Sequence, residues 1–279
     1  MTKLAKKLQK IPLIYLPLFA CLLFELFPFY WCLITAFKGE KEILSKVVTY
    51  IPKSPTWENF IYAWQKAGFA GYFRNSIIVS LAVVVGVLIC ALLLSYAMTR
   101  YKFKGRKLCL YALLGAQFLP ASMMIIPLFI TYKNLHLIDS LWSVILSTVT
   151  FNIPYCSILM IGFMKSVPLE IEEAAVIDGC NRMQSLLRIV CPVLRPGLVA
   201  VGSFAFINAW KEYLYTLMFI NSSSKLTVSV GLSSMMSEYS IAYGLLAAGC
   251  IIAIIPPIIA FSFVQKYLVE GLAAGAVKG

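Results

Sequence analysis

Six mainly apolar stretches, each long enough to cross a lipid bilayer, run along the 279-residue chain. A spanning helix needs about 20 such residues, because its backbone polar groups must find their partners within the segment. The stretches cover residues 12–37, 75–99, 108–132, 141–164, 197–220 and 241–265. With 61% apolar and 13% charged residues, the chain has more apolar surface than a water-soluble domain can bury. The sequence therefore predicts an all-α integral membrane protein with six transmembrane helices.

Basic residues give the orientation of these helices. Most of the 24 Lys and Arg residues lie near the N-terminus, after the second, fourth and sixth stretches, and these are the positions of cytoplasmic loops when the N-terminus is inside. We therefore predict cytoplasmic segments at 1–11 and 266–279, a transmembrane domain at 12–265, and an external loop at 38–74. The net charge of +12 fits this bias and contact with anionic lipid, and no nucleic-acid partner is expected.

Residues that carry enzymatic or metal chemistry are scarce. The chain has one histidine, His136, and its eight cysteines show neither CxxC nor zinc-ligand spacing. A metal site with several histidines is therefore excluded, and a catalytic group that contains histidine could use only His136, which has no nucleophile motif near it. We predict no catalytic residue and no metal site, with His136 at the surface and the cysteines serving as small apolar side chains.

The predicted cytoplasmic segment 165–196 is long for a connection, since most loops have about 4–6 residues. It opens with Pro168 and a group of acids, which favour the start of a helix. These acids are Glu170, Glu172 and Glu173. Gly179 is typical of the left-handed residue that follows a helix. The pattern predicts a short helix between Pro168 and Gly179.

A second short helix is predicted directly afterwards. Asn181 and Gln184 have the spacing of a capping box, which places the helix at residues 182–190. It is expected to end before Cys191 and Pro192, because a residue that precedes proline disfavours the helical conformation. This pattern by itself also fits an amphipathic hairpin that only anchors the protein at the membrane surface.

The same segment contains a specific motif. It resembles the EAA signature of permease subunits of binding-protein-dependent ABC importers, in which E-A-A is followed by three residues, G, nine residues and I-x-L-P. The one departure is Cys191 in place of leucine, an exchange of one apolar side chain for another. The residues that the resemblance marks as ATPase-coupling residues are Glu173, Ala174, Ala175, Asp178, Gly179, Ile189 and Pro192.

The resemblance extends over about residues 14–279. It implies the type I ABC importer permease fold, with a cytoplasmic EAA coupling helix-turn-helix. The tail 269–279 is similar to the C-terminus of the maltose-type second permease, so the resemblance implies a sugar or oligosaccharide as substrate. Glycerol-phosphate importers resemble this branch closely and remain the alternative. A secondary transporter, which needs intramembrane charges for ion coupling and usually has inverted repeats, is favoured less.

The family also implies partners for the chain. An ABC ATPase dimer that uses ATP and Mg²⁺ would receive the EAA helix, with Glu173 as charged contact, Ala174 and Ala175 as a small surface, and Gly179 as hinge. A homologous second permease would complete a heterodimer in the bacterial cytoplasmic (inner) membrane, and an extracytoplasmic sugar-binding protein would deliver the substrate. The chain has no GxxxxGK[ST] motif for phosphate, so it is expected to bind no cofactor and to hydrolyse no ATP itself.

Polar and aromatic residues near the end of the fifth stretch give a candidate substrate path. Sugar sites combine aromatic faces with a few polar groups. The candidates are Asn208, Trp210, Lys211, Glu212 and Tyr213. The family commonly has asparagine after the tryptophan, where this chain has Lys211. The alternative is that Lys211 and Glu212 simply lie near the outer interface of the membrane.

Overall fold

The structure is a computed structural model that describes residues 3–236 and 242–276, with side chains over 14–236 and 242–265. Over these residues the helices are, in order, α1 (Lys3–Ala36), α2 (Glu40–Ile43), α3 (Glu58–Gln65), α4 (Phe69–Arg100), α5 (Arg106–Ala116), α6 (Ile125–Asn134), α7 (Leu141–Lys165), α8 (Leu169–Ile177), α9 (Arg182–Ser185), α10 (Cys191–Val193), α11 (Arg195–Trp210), α12 (Leu214–Phe219), α13 (Val228–Ser234) and α14 (Tyr243–Ala276). The side chains of the predicted C-terminal segment 266–279 lie outside the described residues, as does the backbone of its last three residues.

Four of these helices are long and apolar enough to cross a membrane alone: α1, α4, α7 and α14. Two further spans are possible if each of two bent helix pairs crosses as a unit. One pair joins α5 to residues 121–134 at 96°, and the other joins residues 182–193 to α11 at 83°. The described residues thus contain four to six candidate spans, and four of the six predicted stretches form single helices.

The third predicted stretch is broken. We expected one span over 108–132 with a kink or bend at its proline residues, and α5 does end at Ala116, where the chain turns before a 3₁₀ turn at Ala121–Met124. Pro120 explains the break, because proline has no backbone N–H and keeps the preceding residue out of the helical region. Pro127 lies in the first turn of α6, where the missing N–H needs no partner.

The fifth predicted stretch is also discontinuous. A helix was expected over 197–220, but α11 ends at Trp210 and α12 begins at Leu214. The Glu212 carboxylate accepts hydrogen bonds from the backbone N–H groups of Tyr215 and Thr216, at 2.5 and 3.1 Å. A side chain that binds these groups starts a new helix, so the prediction of one continuous span was wrong.

The second helix of segment 165–196 continues further than expected. We predicted its end before Cys191, but the backbone passes from α9 through a π-helical turn at Leu186–Val190 into α10. Pro192 stands in the first turn of α10, where proline is tolerated because its missing N–H would be unpaired in any case. The predicted end at residue 190 was therefore wrong.

The chain divides into two compact units. The first comprises Met1–Phe69 and Leu232–Ile254, with a small core in which Ala36, Ala247 and Ala248 are buried. The predicted external loop is folded here: Asn59 Nδ2 donates to the carbonyl oxygens of Ala36 and Lys38, at 2.9 and 2.8 Å. By contrast, the described side chains of residues 14–30 in α1 are all exposed.

The second unit comprises Ala70–Gly231 and Ile255–Gly279 and holds the larger core. A row on α4 at helical spacing is fully or almost fully buried: Val79, Val83, Val87 and Ala91. Small residues let neighbouring helices approach closely, as is usual in membranes. A Cβ atom on Gly197 of α11 would stand 2.6 Å from the Phe163 ring of α7.

Candidate functional site

Helix α8 contains the EAA residues and has the ends that the sequence predicts. It begins after Pro168, whose backbone is extended at φ −59° and ψ 140°. At its other end, Gly179 has a φ of +90°, and its N–H bonds to the carbonyl of Val176. A Cβ atom there would meet no atom within 4 Å, so the backbone conformation, and not space, favours glycine. The predicted end of the helix at Gly179 is confirmed.

The capping box of the next helix is also confirmed. Asn181 Oδ1 accepts from the backbone N–H of Gln184 at 2.8 Å, and Gln184 Oε1 accepts from the N–H of Asn181 at 3.0 Å. The turn at Gly179 and this cap together define the angle between the two short helices.

The EAA residues do not share one face of α8. Glu173 and Ala174 are exposed, whereas Ala175 is buried at 5% exposure. Asp178 and Pro192 are exposed, and Ile189 is half-buried.

The face of α8 that carries Glu173 and Ala174 includes an apolar residue that sequence reasoning missed. Ile177 lies one turn further along and is 86% exposed. The apolar residues of this short helix are spread around its axis, so the sequence pattern could not show which of them face solvent.

The opposite face of α8 carries a buried polar group, which we call the Glu172 clamp: Tyr96, Arg100 and Glu172. Arg100 Nε donates to Glu172 Oε1 at 2.6 Å, and the Tyr96 hydroxyl donates to Oε2 at 3.0 Å. Arg100 Nη2 also donates to the carbonyl of Val167 at 2.9 Å. Sequence reasoning missed this group, because Arg100 was read only as a cytoplasmic charge and Glu172 only as an acid at a helix start.

A second polar group, the Asp139 network, lies just before α7. Asp139 accepts from the backbone N–H of Ser222 at 2.8 Å and its hydroxyl at 2.6 Å, and from Lys225 Nζ at 2.9 Å. The N–H of Asn221 is a further donor, at 3.0 Å. The Ser222 hydroxyl, ahead of these other donors, holds the pKa of Asp139 well below its usual range. The neighbouring His136 is exposed, as predicted.

The candidate substrate-path residues have different surroundings. Trp210 is buried, with ring centroids 5.4 Å from Phe73 and 5.8 Å from Phe206. Asn208 Nδ2 donates to Asn152 Oδ1 at 3.2 Å. The structure therefore gives Trp210 and Asn208 packing partners within the second unit.

The remaining three candidates follow the end of α11. Lys211 is exposed, Tyr213 is 38% exposed, and Glu212 caps α12. The role of these residues in a substrate path stays a prediction.

The chain is similar to known proteins over most of its length. The family described as "binding-protein-dependent transport system inner membrane component" matches residues 12–273. The chain belongs to this family. The resemblance inferred from the EAA segment is thus confirmed, and this importer permease is a membrane component of its transport system.

Several relatives cover nearly the whole permease. It is 32% identical over 254 residues to the sulfoquinovosyl glycerol transport permease SmoH of Agrobacterium fabrum, covering 91% of this chain and 89% of that one. It is 34% identical over 253 residues to the diacetylchitobiose uptake permease DasC of Streptomyces coelicolor, covering 91% and 92%.

A solved structure has the same fold. It is a chain of a bacterial ABC transporter involved in the import of the acidic polysaccharide alginate. Its TM-score is 0.81 at 21% identity, and the match covers 96% of this chain and 98% of that chain. The similarity confirms an all-helical importer-permease fold for this chain.

Proposed function

We propose that this permease is the translocation subunit of an ATP-driven importer that carries a sugar or oligosaccharide across the bacterial cytoplasmic membrane. The names of its relatives support a carbohydrate substrate, since SmoH is named for sulfoquinovosyl glycerol transport and DasC for diacetylchitobiose uptake. In this proposal the chain crosses the membrane six times, and both termini and segment 165–196 are cytoplasmic. A separate ATPase dimer hydrolyses ATP with Mg²⁺, a second permease completes the pathway, and a binding protein delivers the sugar.

The proposal that α8 contacts the ATPase rests on the exposed face of this helix. Glu173, Ala174 and Ile177 lie on one side of the helix and are exposed, while Glu172 and Ala175 on the other side are buried. An isoleucine that is 86% exposed beside an exposed carboxylate and a small residue fits the centre of a protein interface. In this proposal Asp178, Ile189 and Pro192 belong to the same coupling segment, with Gly179 as its hinge.

Copurification from the membrane tests this function. The chain, tagged and expressed with its own operon partners, should bring down an ATPase and a second permease. Glu173→Lys reverses the charge on the exposed face, and Gly179→Asp puts a side chain on a residue with a φ of +90°. Both variants should insert normally but lose the ATPase, or lose the stimulation of ATP hydrolysis by the binding protein.

The matched control is Glu40→Lys, the same charge reversal at an exposed acid of the predicted external loop. It should keep the ATPase. If Glu173→Lys and Gly179→Asp keep the ATPase and its stimulation by the binding protein at normal levels, α8 is not the ATPase contact.

A further inference from the structure

The Glu172 clamp connects two segments that the chain itself does not connect. Arg100, the last residue of α4, and Glu172 on α8 are 72 residues apart in the sequence. Their side chains are 8% and 2% exposed. Both carboxylate oxygens have a donor, one from Arg100 and one from Tyr96 a single helical turn earlier.

Burial makes this connection specific. Removing two charges from water is unfavourable, and packed apolar side chains often stabilise a protein as well as a buried ion pair does. Apolar contacts, however, do not fix the orientation of a side chain. Charged hydrogen bonds have narrow geometry, and two donors on one turn of α4 hold the two oxygens of Glu172 in a single orientation. The bond from Arg100 to the carbonyl of Val167 also holds the start of α8.

Helix α4 extends from the clamp into the core of the second unit. Its buried row, Val79 to Ala91, packs in the same core as residues of α7 and α11. A displacement of the last turn of α4 therefore reaches this core along a continuous helix, because α4 runs unbroken from Phe69 to Arg100.

We propose that the Glu172 clamp makes α8 and the last turn of α4 move as one body, so that motion of the ATPase enters the membrane domain through α4. Glu172 and Arg100 are positioning residues: they contact neither nucleotide nor sugar, and they act through α8. The inference rests on the proposed function, since it assigns the route by which a contact on α8 reaches the membrane.

Hydrogen exchange on the complete importer in lipid nanodiscs tests the route. Exchange is compared with and without ATP plus vanadate, which traps the ATPase during its cycle. In the unaltered complex, trapping should change exchange in peptides that cover both 169–177 and 95–103. In Glu172→Gln the change in 169–177 should remain and the change in 95–103 should be lost. Without nucleotide, amides of α8 should exchange at least about tenfold faster in this variant, because the buried pair is broken.

Two Tyr→Phe substitutions make a smaller change, because each removes only one hydroxyl group. Tyr96→Phe removes the hydroxyl that binds Glu172, and Tyr101→Phe removes a hydroxyl from a neighbouring ring whose residue is 45% exposed. Only Tyr96→Phe should weaken the response of 95–103. This pair decides the question if Glu172→Gln fails to assemble.

A double variant and the unaltered complex complete the test. Arg100→Met combined with Glu172→Gln should lower the response no further than the worse single change, because partners in one interaction are not additive. A full response of 95–103 in Glu172→Gln, or in Tyr96→Phe, overturns the proposed route. If the unaltered chain brings down no ATPase, the proposed function itself is overturned, and with it the role of the clamp.

Discussion

The Glu172 clamp and the Asp139 network lie at opposite ends of α7 and handle charge differently. Helix α7 has 25 residues, so about 38 Å separate its two ends. In the clamp, the side chains of the ion pair are 8% and 2% exposed, whereas in the network Lys225 and Asp139 are 44% and 26% exposed. The clamp joins two helices through side chains. In the network, Asp139 mainly binds backbone and hydroxyl groups of one loop.

The difference shows that a buried charge and an exposed charge depend on different partners. A buried carboxylate without its partner cannot turn to water, so the clamp is stable only when it is complete. An exposed lysine can be replaced by water, so the network depends on the short hydrogen bonds of Asp139 more than on its ion pair. Four predictions test this contrast.

The largest effect is expected from Arg100→Met. The substitution leaves Glu172 buried without its cation, which should lower the free energy of unfolding by about 3–5 kcal/mol. Unfolding of the purified chain by SDS in mixed micelles measures this. The double variant Arg100→Met/Glu172→Leu should be more stable than Arg100→Met, since no charge is then left unpaired. Equal stability of Arg100→Met and the unaltered chain would contradict the view of the clamp as a buried pair.

A smaller effect is expected from Asp139→Asn. An amide presents one acceptor oxygen where the carboxylate has two, so some bonds from Ser222, Asn221 and Lys225 are lost. The free energy of unfolding should fall by about 1–2 kcal/mol, and the same SDS titration measures it. A loss as large as that of Arg100→Met would contradict the expectation that the exposed Asp139 network contributes less to stability than the buried Glu172 clamp.

The network should also respond to acid. The hydrogen-bond donors lower the pKa of Asp139, so its carboxylate stabilises the folded chain at neutral pH. An aspartate in the unfolded chain has a pKa of about 4. The stabilisation is lost as the pH falls below this value and through the lower pKa of the folded chain. The pKa of Glu42, outside the network, is lowered as well, chiefly by the Thr49 hydroxyl. The stability of the unaltered chain therefore depends on pH through Glu42 too, and the effect of Asp139 must be separated from it.

The pH effect of Asp139 is therefore the difference between the unaltered chain and Asp139→Asn, measured from pH 7 to 3. This difference should shrink toward low pH. A difference that stays constant over the range would show that protonation of Asp139 has no effect on folding.

The smallest effect is expected from Lys225→Met. The ion pair with Asp139 is partly exposed, so its loss should lower the free energy of unfolding by about 0–1 kcal/mol, and by less at high salt. A titration at two salt concentrations measures it. A loss equal to that of Asp139→Asn would make the lysine, and not the backbone donors, the main partner of the aspartate.

Local rules predict much of the EAA segment. Residues within a few positions of one another determine the helix between Pro168 and the left-handed Gly179. The same is true of the cap at Asn181. The broken third stretch has a visible signal in Pro120, although apolar content alone predicts a continuous span.

Long-range partners are a different matter. Nothing near Arg100 in the sequence points to Glu172, because helix packing brings them together from 72 residues apart. The break after Trp210 is similar: it depends on whether the Glu212 carboxylate turns back to bind Tyr215 and Thr216, and hydropathy cannot show this.

The exposed helix α1 has a consequence for biogenesis. In its most apolar window only 6% of the residues are buried by the rest of the chain, against 44% in α7. Helix α1 also leaves the ribosome before every other span of this chain. Its transfer from translocon to lipid must therefore be driven by its own Leu, Ile and Phe side chains, at about 0.3–0.6 kcal/mol each, against about 2.5–3.5 kcal/mol for one charged residue such as Glu25. Of the four single-helix spans, the one least buried by its own chain is thus the first to leave the ribosome.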